Sequence, residues 1–226
     1  MNYLALCNRL ILECGISAQP MTVTVGNTGE LQRVATWINQ AWLELQEEHQ
    51  DWQWMRHSAS FETVAGQAEY MLDSDIILPY FGRWATQTFR NYDTAATFLT
   101  EIFMDPIDYE VWRNSYYYGA LRTTQTRPLQ FAIGPAKQVC LGPVPAAGYT
   151  VTCDYYSRPS ELVNNLDTPE LPSQFHMAIV YKAMQYYGMF ESAPEVMQRG
   201  QVEYERMLRR IAIDRLPQIQ FAGALA

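Results

Sequence analysis

The spacing of apolar residues changes twice along this chain, and that change constrains the fold more than any single motif. Between Leu31 and Leu45 apolar side chains recur at i, i+3, i+4 and i+7, the spacing of a half-buried helix. From Arg56 the period is two, because Ala59 and Phe61 alternate with polar residues as in a strand. The helical period returns near Pro172. The pattern therefore predicts an α+β protein with helices at both ends and strands between them.

Two helices are predicted in the N-terminal part of the chain. Asn2 is expected to cap the first helix, and Gly15 is expected to end it. Asn27 or Thr28 is expected to cap the second helix. Together the two apolar faces contain Tyr3, Leu6, Leu10 and either Ile11 or Cys14, and then Leu31, Val34, Ala35, Ile38, Ala41, Trp42 and Leu45.

Two more helices are predicted between Leu171 and Ile213. The first opens at Pro172-Ser173 and carries Lys182 as its only charge after Ser173, so burial on two sides is expected. Ser192 to Glu195 has the sequence of a capping box at the start of the second. The apolar stripe of that second helix is Val196, Gly200, Tyr204, Met207, Leu208 and Ile211.

The middle of the chain is predicted to be rich in strands. A turn at Ala65-Gly66-Gln67 indicates a hairpin between the strand from Arg56 and the segment Ala68 to Leu72. Asp105 is expected to cap a short helix near 105–114, with Pro106 in its first position. Further strands are expected at Arg83 to Phe89, Phe98 to Met104, Leu129 to Ile133, Gln138 to Leu141 and Tyr149 to Tyr156.

These elements predict one helical bundle that carries an inserted domain. Neither terminal helix pair is expected to bury its stripes alone, so the N- and C-terminal pairs are predicted to pack together around one core. The strands would then form an inserted antiparallel β domain, and an extended tail would follow. The predicted divisions are 1–55 and 166–213 for the bundle, 56–165 for the β domain and 214–226 for the tail.

Charge, cysteines and the N-terminus exclude several classes of protein. The formal net charge is −8 with only two lysines, Lys137 and Lys182, which argues against a protein that grips duplex DNA. An acidic surface instead suits a conduit past which DNA moves without adhering. The four cysteines show no zinc-site spacing and are expected to be free thiols, although Cys140 and Cys153 lie on separate strands that could approach. No secretion signal or membrane span is indicated, so a cytosolic location is expected.

No motif in the sequence indicates catalysis, and no metal or cofactor site is predicted. The three histidines are His49, His57 and His176, and none lies in a nucleophile motif. His176 is interpreted as a hydrogen-bonded core or interface residue. Asp73 and Asp75 are explained better by a turn than by a metal ion. If the chain were an enzyme, His176 or this aspartate pair would have to belong to an active site that no sequence motif indicates.

Two aromatic clusters allow both a packing and a binding interpretation. Tyr116-Tyr117-Tyr118 could form a platform for sugars, but packing or subunit contact is favoured. Trp52 and Trp54 raise the same question, and a core position is favoured for both.

The end of the last predicted helix is basic, and it leads into an apolar tail. Glu195 to Arg199 and Glu205 to Arg209 are i, i+4 pairs, while Arg206, Arg210 and Arg215 add positive charge. This charge either complements the helix dipole or docks, with the tail, on an acidic groove of a partner. Pro217 to Ala226 carries no charge, and it is either such an anchor or disordered.

The sequence resembles the head-to-tail adaptor (connector) family of tailed bacteriophages over nearly its whole length. The resemblance is one of pattern and contains no catalytic signature. It is carried by residues 2–10, Gly29 to Leu31, Trp37 to Trp42, Trp52 to Arg56, Val64 to Tyr70, Arg127-Pro128, Asp154 to Pro159 with Leu162, Leu171 to His176, and Tyr187-Gly188.

The resemblance implies a structural virion protein at the head-tail junction, assembled in the host cytoplasm. Such adaptors form a ring, usually of twelve copies, that joins the portal protein to tail or nozzle proteins and continues the DNA channel without sequence-specific binding. Their C-terminal segments commonly contact the portal, so the residues expected to contact it are Arg210, Arg215, Ile219, Phe221 and Leu225. A glycan-binding or other tail-associated module and a tail-tube gatekeeper or stopper remain as alternatives.

Overall fold

The computed structural model describes residues 1–17 and 19–217, which divide into two compact units. The first consists of Met1–Met55 together with the chain from Pro159 onward, and the second is Arg56–Arg158. The described residues contain both α-helices and sheets, as an α+β protein should. The helices are α1 (Tyr3–Cys14), α2 (Gly29–Glu47), α3 (Tyr109–Trp112), α4 (Met177–Phe190) and α5 (Pro194–Arg215).

Both ends of α1 follow the sequence prediction. The Asn2 side-chain oxygen accepts a hydrogen bond from the Ala5 N–H at 2.9 Å. Gly15 ends the helix in the left-handed conformation, with φ 66°. α2 begins after Thr28, but the Thr28 side chain makes no capping hydrogen bond, and Asn27 donates to the Val23 carbonyl instead. The buried side of α2 contains Val34, Ala35, Ile38, Ala41, Trp42 and Leu45, as predicted.

α4 packs against α1, α2 and α5 within the first unit. Its residues Ala178, Ile179 and Val180 are all buried, so more than one side of the helix is covered. Lys182, the charge in this helix, forms an ion pair with Glu44 of α2 at 3.0 Å. The Tyr204 hydroxyl of α5 donates to the Glu48 carboxylate at 3.2 Å. Polar contacts thus connect α2 to both C-terminal helices beside the apolar core.

The capping box predicted at Ser192 to Glu195 is wrong. α5 begins after Ala193, and no side chain caps it. Only three residues separate α4 from α5, so the chain reverses tightly, with Ser192 in the left-handed region at φ 53°. The Ala193 N–H donates to the Gly188 carbonyl at 2.9 Å, which closes the turn without the serine hydroxyl.

The second unit ends at Arg158, whereas the sequence predicts the end of the β domain at residue 165. The residues that follow are held by the N-terminal helices. The Ser160 N–H donates to the Gln46 side chain at 3.0 Å, and the Leu162 N–H donates to the Asn39 side chain at 2.9 Å. The Tyr3 N–H also donates to the Asp167 carbonyl at 2.8 Å. Local sequence cannot identify these long-range partners. The predicted end of the β domain therefore lies beyond the observed end of the second unit.

The strands of the second unit form three sheets within the described residues. The first has the order β1-β10-β3-β4, the second has the order β2-β8-β7-β5, and β6 pairs with β9. Pairing is antiparallel except between β5 and β7 and between β6 and β9, where it is parallel. The strands are β1 (Arg56–Glu62), β2 (Glu69–Tyr70), β3 (Phe81–Asp93), β4 (Ile102–Phe103), β5 (Asp105–Pro106), β6 (Gln125–Thr126), β7 (Gln130–Ile133), β8 (Val139–Gly142), β9 (Val144–Pro145) and β10 (Tyr149–Ser157).

An aromatic core joins the first two sheets. Phe89 of β3 stacks on Phe131 of β7 with ring centroids 4.1 Å apart, and both side chains are fully buried. Trp84 meets Phe89 edge to face at 5.5 Å. Aromatic pairs of this kind bury large areas and prefer such geometries. Packing in this core therefore accounts for several of the aromatic residues of the chain.

The hairpin and the helix start predicted in this unit are wrong. β1 and β2 flank the turn at residues 65–67 but do not pair, because β1 pairs with β10 and β2 with β8. Asp105-Pro106 does not start a helix, because it pairs with β7, and the Ile107 N–H donates to the Phe131 carbonyl at 2.8 Å. The helix α3 starts later and is capped by Asp108, whose carboxylate accepts from the Glu110 N–H.

Candidate interaction surfaces

The residues considered for catalysis do not form a catalytic group. His176 is buried, its Nε2 lies 2.7 Å from the Leu171 carbonyl oxygen, and its Nδ1 faces the Met1 amine. The carbonyl can only accept, so Nε2 carries the proton and donates it. Burial, more than any neighbouring group, lowers the pKa of this imidazole below its ordinary value. The ring is therefore neutral, and it is a hydrogen-bonded core residue, in agreement with the sequence interpretation.

Asp73 and Asp75 lie in a turn. Asp73 has φ 68°, and its N–H donates to the Ile76 carbonyl. The Asp75 carboxylate accepts from the Met71 N–H at 2.8 Å, so it is used to close the loop. Among residues 1–17 and 19–217, no cluster of three or more His, Cys, Asp or Glu side chains is placed to hold a metal ion.

All four cysteines are free thiols. Cys140 lies on β8 and Cys153 on β10, in different sheets, and no disulfide joins them. Burial raises the pKa of Cys7, Cys140 and Cys153 to about 12, so these thiols stay protonated at neutral pH.

The tyrosine run divides between packing and exposure. Tyr116 is buried in a π-helical turn after α3, and its hydroxyl donates to the Gln130 side chain at 2.9 Å. Tyr117 and Tyr118 are exposed and meet edge to face, with centroids 4.8 Å apart. Trp52 is fully buried, and its indole N–H donates to the Leu45 carbonyl at 3.1 Å. Trp52 is therefore a core residue, as favoured from the sequence.

Two ion pairs border a groove of about 530 Å³ on the outer face of the first sheet. Arg56 pairs with Asp154 at 2.6 Å, and Arg90 pairs with Glu101 at 3.1 Å. Because each of these carboxylates already has a guanidinium partner, the groove offers paired charges rather than free acid groups. It therefore lacks the unpaired acid and base that a hydrolytic site requires.

An apolar tip extends beside this groove, and we define it as Phe98, Leu99 and Phe103. Leu99 is 94% exposed and Phe98 is 74% exposed. Both lie in the 3-10 turn Thr97–Thr100, in a segment that the sequence predicts as a strand. The Arg90 guanidinium lies 4.0 Å from the ring centroid of Phe103. Large apolar residues this exposed at a loop are typical of a contact surface.

A second surface lies in the helical unit, and we call it the aromatic patch: Arg33, Trp37, Tyr187, Met189 and Phe190. The Trp37 centroid is 6.0 Å from that of Tyr187 and 5.7 Å from that of Phe190. The Arg33 guanidinium lies 4.2 Å from the centroid of Phe190. Met189 is 70% exposed and Phe190 is 50% exposed. These residue types are enriched in protein interfaces.

Acidic residues border the aromatic patch. Glu30 and Glu191 are both exposed. Glu191 directly follows Phe190 at the end of α4, and Glu30 lies three residues before Arg33 in α2, one turn away, so both carboxylates border the patch. Sequence reasoning missed this patch as a site, although Trp37 lies off the predicted apolar stripe of α2, and that position was the available signal.

The exposed side of α5 carries a third surface, the outer stripe: Val202, Arg206, Arg209 and Ile213. Val202 is 56% exposed and Ile213 is 74% exposed. Arg206 lies 3.7 Å from Glu203, and Arg209 lies 3.8 Å from Glu205, so both ion pairs are long. The predicted pair of Glu195 with Arg199 is wrong, because Arg199 instead binds Glu13 of α1 at 2.7 Å.

The predicted portal-contact residues are only partly described. Arg210 is exposed and has no ion-pair partner among the described residues, whereas Arg215 lies 2.9 Å from Asp214. Both stand in the last turns of α5. Ile219, Phe221 and Leu225 lie outside the described residues. Within the part of the chain that the structure describes, no helix combines the length and apolar character needed to cross a bilayer.

Comparison with known families gives a match over almost the whole chain. The family model described as SU10 adaptor protein matches residues 1–224. The curated proteins gave no match. The family match spans the helical unit and the β unit together, so it concerns the combination of the two and not one module.

Proposed function

The chain belongs to the SU10 adaptor protein family, a family of structural phage adaptors, and we propose that it forms the ring that joins the portal to the tail. The match over residues 1–224 carries this proposal. The surfaces described above support it, because they are exposed aromatic, aliphatic and arginine side chains. Such residues contribute to binding, and we propose no catalytic role for them.

We propose that α1, α2, α4 and α5 form one bundle and that this bundle binds the portal protein. Arg210 and Arg215, at the end of α5, would meet acidic groups of the portal. Ile219, Phe221 and Leu225 would then provide apolar anchors. The partnerless Arg210 supports this assignment, because an exposed guanidinium is available to a carboxylate on another protein.

The β unit would bind the tail or nozzle proteins through the apolar tip. Leu99 and Phe98 are almost free of contacts that would hide them, so burying them against a partner would remove apolar area from water. The net charge of −8 suits a channel through which the genome passes without sequence-specific binding. Twelve copies, assembled in the host cytoplasm and placed at the head-tail junction of the virion, are part of the proposal.

The experiment mixes purified chain with purified portal of the same phage and follows complex formation by sizing and electron microscopy. We expect a ring of adaptors on the portal. Deletion of residues 217–226 is expected to weaken portal binding by about a hundredfold or more, because several anchors of about 1 kcal/mol or more are removed together. The matched control is Phe98→Ser/Leu99→Ser, which should keep portal binding and lose binding to tail proteins. Failure of the intact chain to bind the portal would contradict the proposed function.

A further inference from the structure

We propose that neighbouring copies of this chain contact each other by placing the outer stripe of one copy on the aromatic patch of the next. The inference rests on the proposed function, because only a ring requires lateral contacts between copies. It adds which two surfaces make that contact and the chemistry by which they recognise each other.

The aromatic patch has the composition of a binding hot spot but is left partly uncovered. Trp, Tyr and Arg are the residues that most often dominate binding energies, and Trp37, Tyr187 and Arg33 stand together here. Phe190 lies against Trp37 and is still 50% exposed. Burying this ring and the exposed side chain of Met189, its neighbour in α4, on a partner would remove apolar surface from water.

The patch also has a preferred charge for its partner. Glu191 directly follows Phe190 and Glu30 lies one turn before Arg33, so the border of the patch carries two carboxylates and one guanidinium. Arg33 already covers one side of Phe190 at 4.2 Å. The aromatic faces attract cations, and the two carboxylates add to that attraction. A partner surface that combines arginines with aliphatic side chains is therefore complementary.

The outer stripe of the same chain has this composition. Successive residues of a helix are about 100° apart, so Val202, Arg206 and Ile213 lie about 200° from Gly200, Tyr204 and Ile211 respectively. Those three residues are buried, so the stripe faces away from the core of the unit. Two arginines thus stand between two exposed aliphatic residues. Their ion pairs with Glu203 and Glu205 are long and exposed, and such pairs contribute little that would oppose reorientation.

The outer stripe is long enough to cover the aromatic patch. Val202 and Ile213 are eleven positions apart, which is about 16 Å along a helix. The Trp37 ring centroid lies 6.0 Å from that of Tyr187 and 5.7 Å from that of Phe190, so the three rings span a shorter distance than the stripe. Arg206 and Arg209, near the middle of the stripe, would meet the rings and carboxylates, and Val202 and Ile213 would flank them.

A second copy is the occupant that the observations favour, because both complementary surfaces belong to this chain. They are different surfaces, so the contact is heterologous, and each copy has one of each to offer. Heterologous contacts generate rings or open filaments rather than closed pairs. A contact of this kind is what a ring around a channel needs.

The test measures how cooperatively the chain loads onto purified portal rings, by mass photometry at less than one adaptor per portal site. Lateral contacts should make loading cooperative, so wild type should give mostly full and empty portals. The stripe variant Arg206→Glu/Arg209→Glu and the patch variant Glu30→Arg/Glu191→Arg should each give partly filled portals. Their apparent affinity for completing the ring should fall by about tenfold or more, as expected for reversing a close charge pair.

Mixing the two variants is the decisive step. Each variant alone sets like charges against each other, but in an equimolar mixture every stripe can meet a patch of opposite charge. We therefore expect the mixture to recover cooperative loading. The control Arg122→Glu/Arg158→Glu makes the same change in net charge as the stripe variant, but on the β unit, and should load as wild type does.

The outcomes separate this inference from the proposed function. If wild type does not bind the portal, the proposed function fails. If all variants bind the portal and the mixture loads no more cooperatively than its components, the lateral contact is wrong while the adaptor role stands. A variant that changes no charge, Phe190→Ala, should also load as partly filled portals while keeping the far-ultraviolet circular dichroism of wild type. Cooperative loading by this variant would overturn the role of the aromatic patch.

Discussion

The crossing of α4 and α5 gives a sharp test of the packing in the helical unit. A Cβ placed on Gly200 would lie 2.8 Å from the Tyr181 carbonyl oxygen and 3.0 Å from the Met184 Cβ. A Cβ on Gly188 would lie 2.7 Å from the Met197 backbone nitrogen. Because backbone atoms cannot rotate out of the way, an alanine at either position must push the two helices apart.

The change in the free energy of unfolding expected for Gly200→Ala is the difference between two opposing effects. Non-bonded contacts are favourable near about 3.5 to 4.0 Å, so the helices must separate by roughly half an ångström or more. Overpacking of this kind costs about 1 to 3 kcal/mol, while replacing glycine by alanine in a helix gains about 1 kcal/mol. We expect a net destabilisation of about 1 kcal/mol. That corresponds to a fall in melting temperature of about 2 to 4 °C for a chain of this size.

The assay is thermal and urea unfolding followed by far-ultraviolet circular dichroism, which reports mainly on the helices. Gly148→Ala is the control, because its Cβ would have only the Thr63 carbonyl within reach, at 3.8 Å. That variant should be neutral or slightly stabilising, since alanine restricts the unfolded chain. If Gly200→Ala stabilised the protein as much as the control, the close approach of α4 and α5 would be refuted.

Two further predictions concern buried polar groups. The lowered pKa of His176 means that the unfolded chain binds a proton at higher pH than the folded chain does, so its contribution to stability is present above about pH 6.5 and lost as the pH falls below it. His176→Gln should therefore flatten the decline in the urea midpoint between about pH 7.5 and 5.5, and an unchanged slope would contradict the buried neutral ring. Arg127 donates to the buried Asn91 side chain at 2.7 Å and to the Asn91 carbonyl at 2.8 Å. Arg127→Leu should cost about 1 to 3 kcal/mol in urea unfolding, and the double variant with Asn91→Leu should cost less than the sum of the two single variants; strict additivity would show that the two residues act independently.

The helical elements were predictable because their signals are local. Asn2, Gly15 and the spacing from Val34 to Leu45 lie within the helices that they specify, and the structure confirms each of them. The capping box at Ser192 was misleading for the same reason. Its four residues fit the motif, but the turn from α4 to α5 is too short to let the serine adopt the extended conformation of a cap.

Strand pairing was less predictable because it depends on distant residues. The turn at residues 65–67 is a real local signal, but it cannot say that β1 pairs with β10, almost a hundred positions away. Asp105-Pro106 likewise carries a helix-start signal. In the folded chain it pairs with β7 instead, and a helix at this position would lose that pairing. In both cases tertiary pairing outweighed local propensity.

Interaction surfaces are also hard to predict from sequence, because they combine residues from different helices, and α5 is an example. The apolar period identifies Gly200, Tyr204 and Ile211 as one stripe, and these residues are buried against the rest of the unit. Val202 and Ile213 break the polar character of the opposite face, so the sequence also holds a signal for a second contact. That signal becomes specific only when packing brings Trp37, Tyr187 and Phe190 together from two helices. A helix of an assembly protein can thus carry one stripe for its own core and another for a neighbour, and the residues that fit the second stripe need not be near it in sequence.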